Sequence, residues 1–97
     1  PMAIVIERSH SYTLEQMRKK MQYVIHKLSA ELELTTTWKG DTVHFNKMGI
    51  DGTVVFDAQK LKITAKIPFY VPVTDAWLKN EIETRIDHYL KEAPDAI

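Results

Sequence analysis

The sequence predicts an α+β domain with the element order β-α-β-β-β-β-α, in which two helices pack on one face of a mostly antiparallel sheet. Two segments in which apolar side chains recur every three or four residues predict the helices. Segments in which apolar and polar residues alternate predict the strands. Short turn sequences join the later strands, and such connections favour an antiparallel meander over parallel crossovers.

The first strand and the first helix are predicted from the residues before position 33. The segment 4–10 is rich in β-branched residues and predicts a strand. Thr13 and Gln16 form the capping-box pattern that begins a helix. Its basic residues, Lys20 among them, fall mostly away from the apolar stripe. That stripe comprises Leu14, Met17, Met21, Val24, Ile25, Leu28 and Leu32.

Four strands are predicted to follow, over residues 34–39, 43–46, 53–57 and 61–67. The alternation is sharpest in the last of them, where every second residue from Leu61 to Ile67 is apolar. Each strand therefore has one apolar face, which the helices are expected to cover. The opposite, solvent-facing side of the sheet is predicted to carry Thr35, Thr37, Lys39, His44, Asn46, Lys62, Thr64 and Lys66.

The second helix is predicted to begin at its N-cap Thr74 and to end before Pro94. With 97 residues, the chain is long enough for one buried core, so residues 1–97 are predicted to form a single domain with a frayed tail at 94–97. The buried stripe of the second helix is predicted to comprise Leu78, Ile82, Ile86, Tyr89, Leu90 and Ala93.

Composition excludes several classes of function. Thirteen basic residues balance thirteen acidic ones, so no global charge attracts nucleic acid or an anionic membrane. The chain has no cysteine, which excludes disulfides and thiolate chemistry. No apolar run approaches the roughly 20 residues that span a bilayer, and charged residues from Glu7 onward argue against a signal peptide. We therefore expect a small soluble cytoplasmic protein without a membrane span.

Nucleic-acid binding, a metal site and a cofactor are not predicted. RNA-recognition sheets stack bases on exposed aromatic residues, whereas Trp38, Phe45 and Phe56 fall in the buried phase. The four histidines lack the spacing of metal ligands. Among them, His10 and His44 could act in acid–base chemistry only if the strand order brought them to Glu7 or Asp41. The four histidines are His10, His26, His44 and His88.

The apolar segment 67–73 allows two interpretations. Phe69 and Val71 could complete the core between the last strand and the second helix. Alternatively, Phe69, Tyr70 and Val71 could form an exposed surface, extended by Trp77, that meets a partner, a second subunit or an apolar surface.

Three groups of residues carry a resemblance to a known family. They are Ile4-x-Ile6-Glu7-Arg8-x-His10-Ser11 before a long basic helix, Trp38-x-Gly40-Asp41 followed by His44-Phe45, and Gly49-Ile50-Asp51-Gly52 before a Val-rich strand. In order and spacing these motifs resemble the polyhydroxyalkanoic acid system family, from Met2 to about Leu90. The resemblance implies a bacterial accessory protein of polyhydroxyalkanoate storage with no established catalytic residues. Its expected partners are the granule surface or granule-associated proteins, and the contact surface we predict from the residues is Phe69, Tyr70, Val71 and Trp77.

Pro1 raises an alternative, because tautomerases use a free N-terminal proline amine as a catalytic base. A tautomerase also needs a β-α-β unit with a parallel crossover, which the predicted meander does not provide. The opening Met2-Ala3 resembles the start of family members, so Pro1 is predicted to be a remnant of cloning. We therefore expect a non-enzymatic protein, with a Pro1-dependent tautomerase and a homodimeric interaction module as alternatives.

Overall fold

Residues 2–94 form a five-stranded sheet and two helices in the predicted order, as described by a computed structural model. The predicted α+β class is confirmed. Pro1 and residues 95–97, to which the predicted cloning remnant and most of the frayed tail belong, lie outside the described residues. The elements are β1 (Met2–Ser9), α1 (Leu14–Leu32), β2 (Thr35–Lys39), β3 (Thr42–Lys47), β4 (Ile50–Phe56), β5 (Lys60–Ile67) and α2 (Asp75–Glu92).

All pairings in the sheet are antiparallel, and the strand order is β1-β5-β4-β3-β2. The four later strands form the predicted meander. β1 adds to its far edge, where Ile4 lies opposite Ala65 and Ile6 opposite Ile63. β1 and β2 therefore lie at opposite edges, and α1 carries the chain between them across one face. Residues 2–94 thus do not form the parallel β-α-β unit of a tautomerase.

Helix α1 begins where its sequence pattern predicts. The Thr13 hydroxyl accepts from the Gln16 amide at 3.1 Å, and the Gln16 side-chain oxygen accepts from the Thr13 amide at 2.9 Å. This reciprocal pair satisfies two of the free N–H groups at the helix start. The helix ends at Glu33, whose amide donates to the Ser29 carbonyl. Its left-handed conformation (φ 55°) brings the following Leu34 amide to the same carbonyl at 3.1 Å.

The core lies between the inner face of the sheet and the two helices. Met17, Met21 and Val24 of α1 are buried against residues such as Val54 and Ile63 of the sheet. Each such side chain contributes about 1.5–3 kcal/mol by leaving water. The predicted α1 stripe is confirmed from Met17 to Leu28, whereas the two residues at its ends are only half-buried, Leu14 and Leu32.

Lys20 contradicts its prediction, because it is buried in the core rather than turned away from it. Its ammonium donates to the main-chain carbonyl of Ala93 at 3.0 Å and lies 4.6 Å from the centre of the Tyr12 ring. The C-terminal end of α2 carries partial negative charge, so it offers a favourable position for a cation. A contact with a distant helix end therefore explains the burial.

The two helices run antiparallel and are joined through Glu31 of α1. Its carboxylate accepts from the Arg85 guanidinium at 2.7 Å and from the Tyr89 hydroxyl. Both hydrogen bonds favour the ionised carboxylate, so they hold the pKa of Glu31 below its usual value, with the Tyr89 bond as the larger cause.

The lowered pKa of Glu31 predicts that the folded protein loses stability at low pH. A carboxyl whose pKa is lowered by folding stabilises the fold above its unfolded pKa of about 4.3, and this contribution is lost as pH falls through the folded value. Glu31→Gln should therefore flatten the fall in the free energy of unfolding below about pH 4.3, as measured by urea denaturation at a series of pH values. Glu33→Gln, which removes an exposed carboxylate outside this contact, should follow the wild-type curve. Identical curves for wild type and Glu31→Gln would contradict the linkage.

Candidate functional site

The segment between β5 and α2 carries three of the four predicted contact residues. Phe69 and Tyr70 are exposed, and their rings meet edge to face with centroids 5.7 Å apart. Val71 is instead half-buried and packs against a small buried cluster that includes Ile67. The interpretation that this segment completes the core is therefore right for Val71 and wrong for Phe69.

Short-range hydrogen bonds fix the path of this segment. The Val71 amide donates to the Pro68 carbonyl at 3.1 Å, and the Val73 amide donates to the Val71 carbonyl at 2.9 Å. Proline at positions 68 and 72 restricts φ on both sides of the aromatic pair. The two exposed rings are consequently held by a constrained turn between two regular elements.

A third exposed apolar side chain, Met48, lies in the turn between β3 and β4. The Tyr70 hydroxyl occupies the space that a β-carbon on Gly49 would need, so Tyr70 lies over this turn. Gly49 is suited to the position because its φ is 88°, in the region that favours glycine. Met48 was not among the predicted contact residues. The sequence did contain a sign of it, because Met48 is a large apolar residue in a turn, where no apolar side chain is required.

Trp77 is exposed in the first turn of α2, at the same end of the molecule. Its amide donates to the Thr74 hydroxyl at 3.1 Å, which caps the helix as predicted. We call the four exposed side chains at this end of the sheet the apolar end. They are between 54% and 88% exposed, and they are Met48, Phe69, Tyr70 and Trp77. Such a grouping of large apolar side chains is typical of a contact surface.

Behind the apolar end lies a cavity of about 250 Å³ between the helices and the inner face of the sheet. Its deep wall is buried and includes Val54 and Ile63. Its outer wall is only half-buried or exposed and includes Lys47, Ile50 and Trp77. The cavity therefore opens toward the apolar end.

The cavity accounts for a difference between the predicted and the observed packing of α2. Of the predicted stripe, Ile86 and Ala93, which directly follows the helix, are buried. The other four residues are half-buried, namely Leu78, Ile82, Tyr89 and Leu90. Leu78 and Ile82 line the cavity, so part of their surface faces open space instead of another side chain. The first half of α2 thus spans the cavity without filling it.

The outer face of the sheet has a second concave surface, which is lined mainly by polar side chains. Its predicted residues lie there, and Thr64 alone of them is not fully exposed. Opposite charges face each other across neighbouring strands, with Glu7 opposite Lys62 and Asp51 opposite Lys66. Such pairs are favourable on a solvated sheet. The aromatic residues of β2, β3 and β4 project from the other face, as predicted, but only Phe56 is buried, whereas Phe45 is half-buried and Trp38 is 38% exposed.

A family model with the description "Putative polyhydroxyalkanoic acid system protein" matches residues 4–92. The chain belongs to this polyhydroxyalkanoic acid system family. The resemblance seen in the sequence is thus confirmed over nearly its whole length. Comparison with curated proteins and with solved structures gave no significant match.

In this polyhydroxyalkanoic acid system protein, three polar residues of the motifs tie elements of the fold together. Arg8 of β1 donates to both carboxylate oxygens of Asp87 in α2, at 3.0 and 3.2 Å. Asp41, in the turn between β2 and β3, accepts two hydrogen bonds from Arg18 of α1, at 3.0 and 3.1 Å. His10 contacts the turn between β4 and β5. These residues hold helices and turns against the sheet.

The two ring nitrogens of His10 are both engaged by the main chain. Nδ1 accepts from the Tyr12 amide at 3.1 Å, so Nε2 carries the proton and donates to the Asp57 carbonyl at 2.8 Å. His10 therefore contacts neither of the carboxylates considered from the sequence, Glu7 and Asp41. His44 lies on the outer face, opposite Thr53 and Thr37.

Two further findings concern metal and membrane. Among residues 2–94, no three His, Asp or Glu side chains are grouped closely enough to hold a metal ion. Neither helix of the described chain is both long and apolar enough to cross a membrane.

Proposed function

We propose that this protein is a non-enzymatic accessory protein of polyhydroxyalkanoate storage, located in the cytoplasm, that binds the granule through the apolar end. Family membership supports the setting, because the family is described as belonging to the polyhydroxyalkanoic acid system. The observation that carries the proposal is the clustering of Met48, Phe69, Tyr70 and Trp77, all exposed, at one end of the sheet.

The physical argument rests on the surface of the granule. A polyester of hydroxyalkanoic acids presents an apolar surface, which an exposed cluster of aromatic and thioether side chains can cover. Burying a large apolar side chain gains about 1.5–3 kcal/mol, of which association costs consume a part. Four such side chains are enough for reversible binding. A granule-bound protein with an apolar patch could bind the same four side chains.

Charge favours an apolar mode of contact over an electrostatic one. The four side chains of the apolar end are uncharged, and the chain as a whole has a formal net charge of zero. Screening by salt weakens contacts between exposed charges but not the burial of apolar surface. Binding through the apolar end should therefore persist at high ionic strength.

The test is co-sedimentation of the protein, starting at Met2, with polyhydroxyalkanoate granules in their native state and after removal of their coat proteins. The double variant Phe69→Ser, Tyr70→Ser should bind at least about tenfold more weakly, because 1.4 kcal/mol corresponds to a factor of ten. The matched control is Val5→Ser, Val55→Ser, which removes two exposed apolar side chains from the outer face of the sheet. It should bind like the wild type.

Each outcome distinguishes a mode of contact. Binding to both preparations supports direct contact with the polymer, and binding to native granules alone supports a coat-protein partner. Absence of binding to either, or equal binding by the double variant and the wild type, would refute the proposal. A rise in molecular size with protein concentration, abolished in the double variant, would instead assign the apolar end to a homodimer.

A further inference from the structure

The cavity behind the apolar end is large enough to hold an apolar group of its own. Its volume is about 250 Å³. An apolar cavity of roughly 150 Å³ in another protein stays dry and takes up benzene. Open space of this kind lacks the dispersion contacts that a filled core would have, so an apolar ligand would gain them on entry.

Ala65 of β5, whose side chain is small, contributes to the sheet side of this space. Gly52 of β4 lies directly opposite Ala65 of β5 on the inner face. The Phe45 ring covers Gly52, where a β-carbon would collide with it, and Phe45 rather than Gly52 lines the cavity beside Ala65. On the other side of the cavity, Leu78 and Ile82 of α2 are only partly buried. The small side chain of Ala65 and the incomplete packing of α2 at Leu78 and Ile82 together leave the open space.

Polar groups of the lining side chains are confined to Lys47, Thr36 and the indole N–H of Trp77. Lys47 is half-buried at the end of β3, beside the opening, and donates to the main-chain carbonyl of Leu32. An ammonium has three N–H donors, so this contact leaves two for an anionic group. The cavity thus combines a deep apolar interior with one cation at its mouth.

We propose that the cavity binds a fatty carboxylate of medium chain length, with its tail among Val54, Ile63 and Ala65 and its carboxylate at Lys47. A hydroxyalkanoate has this chemistry, and it is the building block of the polymer after which the family is named. The inference stands on the cavity and is independent of whether the apolar end contacts granules.

Chain length and head group make the inference testable by calorimetric titration. Each methylene should tighten binding about fourfold from hexanoate to octanoate, until the cavity is filled, and palmitate should gain nothing further. Octanol should bind more weakly than octanoate, and Lys47→Gln should remove this difference without affecting octanol. 3-Hydroxyoctanoate tests the monomer chemistry directly.

A variant that fills the cavity tests the location of the tail. Ala65→Leu adds apolar volume at a fully buried position of the cavity floor, so octanoate should bind at least about tenfold more weakly. A direct measurement covers the case in which this variant does not fold. In the wild type, magnetisation transfer from the octanoate methyl group to the methyl groups of Val54 and Ile63 is expected.

The outcomes separate this inference from granule contact. Ala65→Leu should retain granule binding, whereas Phe69→Ser, Tyr70→Ser should retain octanoate. Tight octanoate binding unaffected by Ala65→Leu, transfer to residues outside the cavity, or no binding of any chain would each overturn the inference and leave the granule proposal unaffected.

Discussion

Lys20→Ala is expected to lower the free energy of unfolding by about 3 kcal/mol. Lys20 is only 2% exposed, and its stem lies among buried residues of α1. The substitution removes these contacts together with the hydrogen bond to the Ala93 carbonyl and the contact with the Tyr12 ring. Because Ala93 caps α2, the C-terminal end of that helix should loosen as well.

Two companion variants separate the contributions of stem and charge. Lys20→Met keeps an apolar stem and loses the ammonium, so we expect about 1–2 kcal/mol from the lost hydrogen bond. Gln22→Ala, at an exposed position of the same helix, should cost less than about 0.5 kcal/mol. Urea denaturation measures all three. A cost for Lys20→Ala no larger than that for Gln22→Ala would show that the amine is not buried against α2.

The sequence predicted those features of the fold that depend on residues near each other in the chain. The capping box of Thr13 and Gln16 begins α1, and Thr74 begins α2. Alternation in β5 assigned Leu61 and Ile63 to the inner face, where both are buried. Helix periods, caps and alternation are set by local geometry, which explains why these predictions were correct.

Features that depend on distant residues could not be predicted in this way. The pairing of β1 with β5 joins segments some sixty residues apart, as in Ile4 with Ala65. The burial of Lys20 depends on a carbonyl at the far end of α2, and a helical pattern contains no information about that partner. The cavity likewise lies between residues that are far apart in the sequence, such as Leu28 of α1, Ala65 of β5 and Ile82 of α2.

The polar motif residues stabilise the fold, whereas the candidate site lies elsewhere in the molecule. Arg8, His10 and Asp41 are engaged in hydrogen bonds that hold helices and turns in place. Their side chains serve the fold, so the motifs predict the architecture better than the chemistry. The side chains of the apolar end are not engaged in such hydrogen bonds. Function is therefore better sought at the apolar end and in the cavity. Arg8 helps to position α2, which forms one wall of the cavity, over the sheet.

That positioning depends on the inner face of β4, and Phe56→Ala is expected to lower the free energy of unfolding by about 4 kcal/mol. Phe56 is buried, and its ring meets Trp38 edge to face with centroids 6.2 Å apart. Truncation removes the ring from a packed core and opens a void that rigid neighbouring strands cannot close.

The neighbouring residue provides the control, because successive side chains of a strand project from opposite faces. Val55 is exposed on the outer face, so Val55→Ala should cost less than about 1 kcal/mol in thermal and urea unfolding. A large difference between these adjacent variants is expected only if the inner face of β4 is the one that the helices cover. Equal costs would contradict the assignment of Phe56 to the covered face. The cavity would then lose its structural basis, because its wall includes Val54 on the same face of β4.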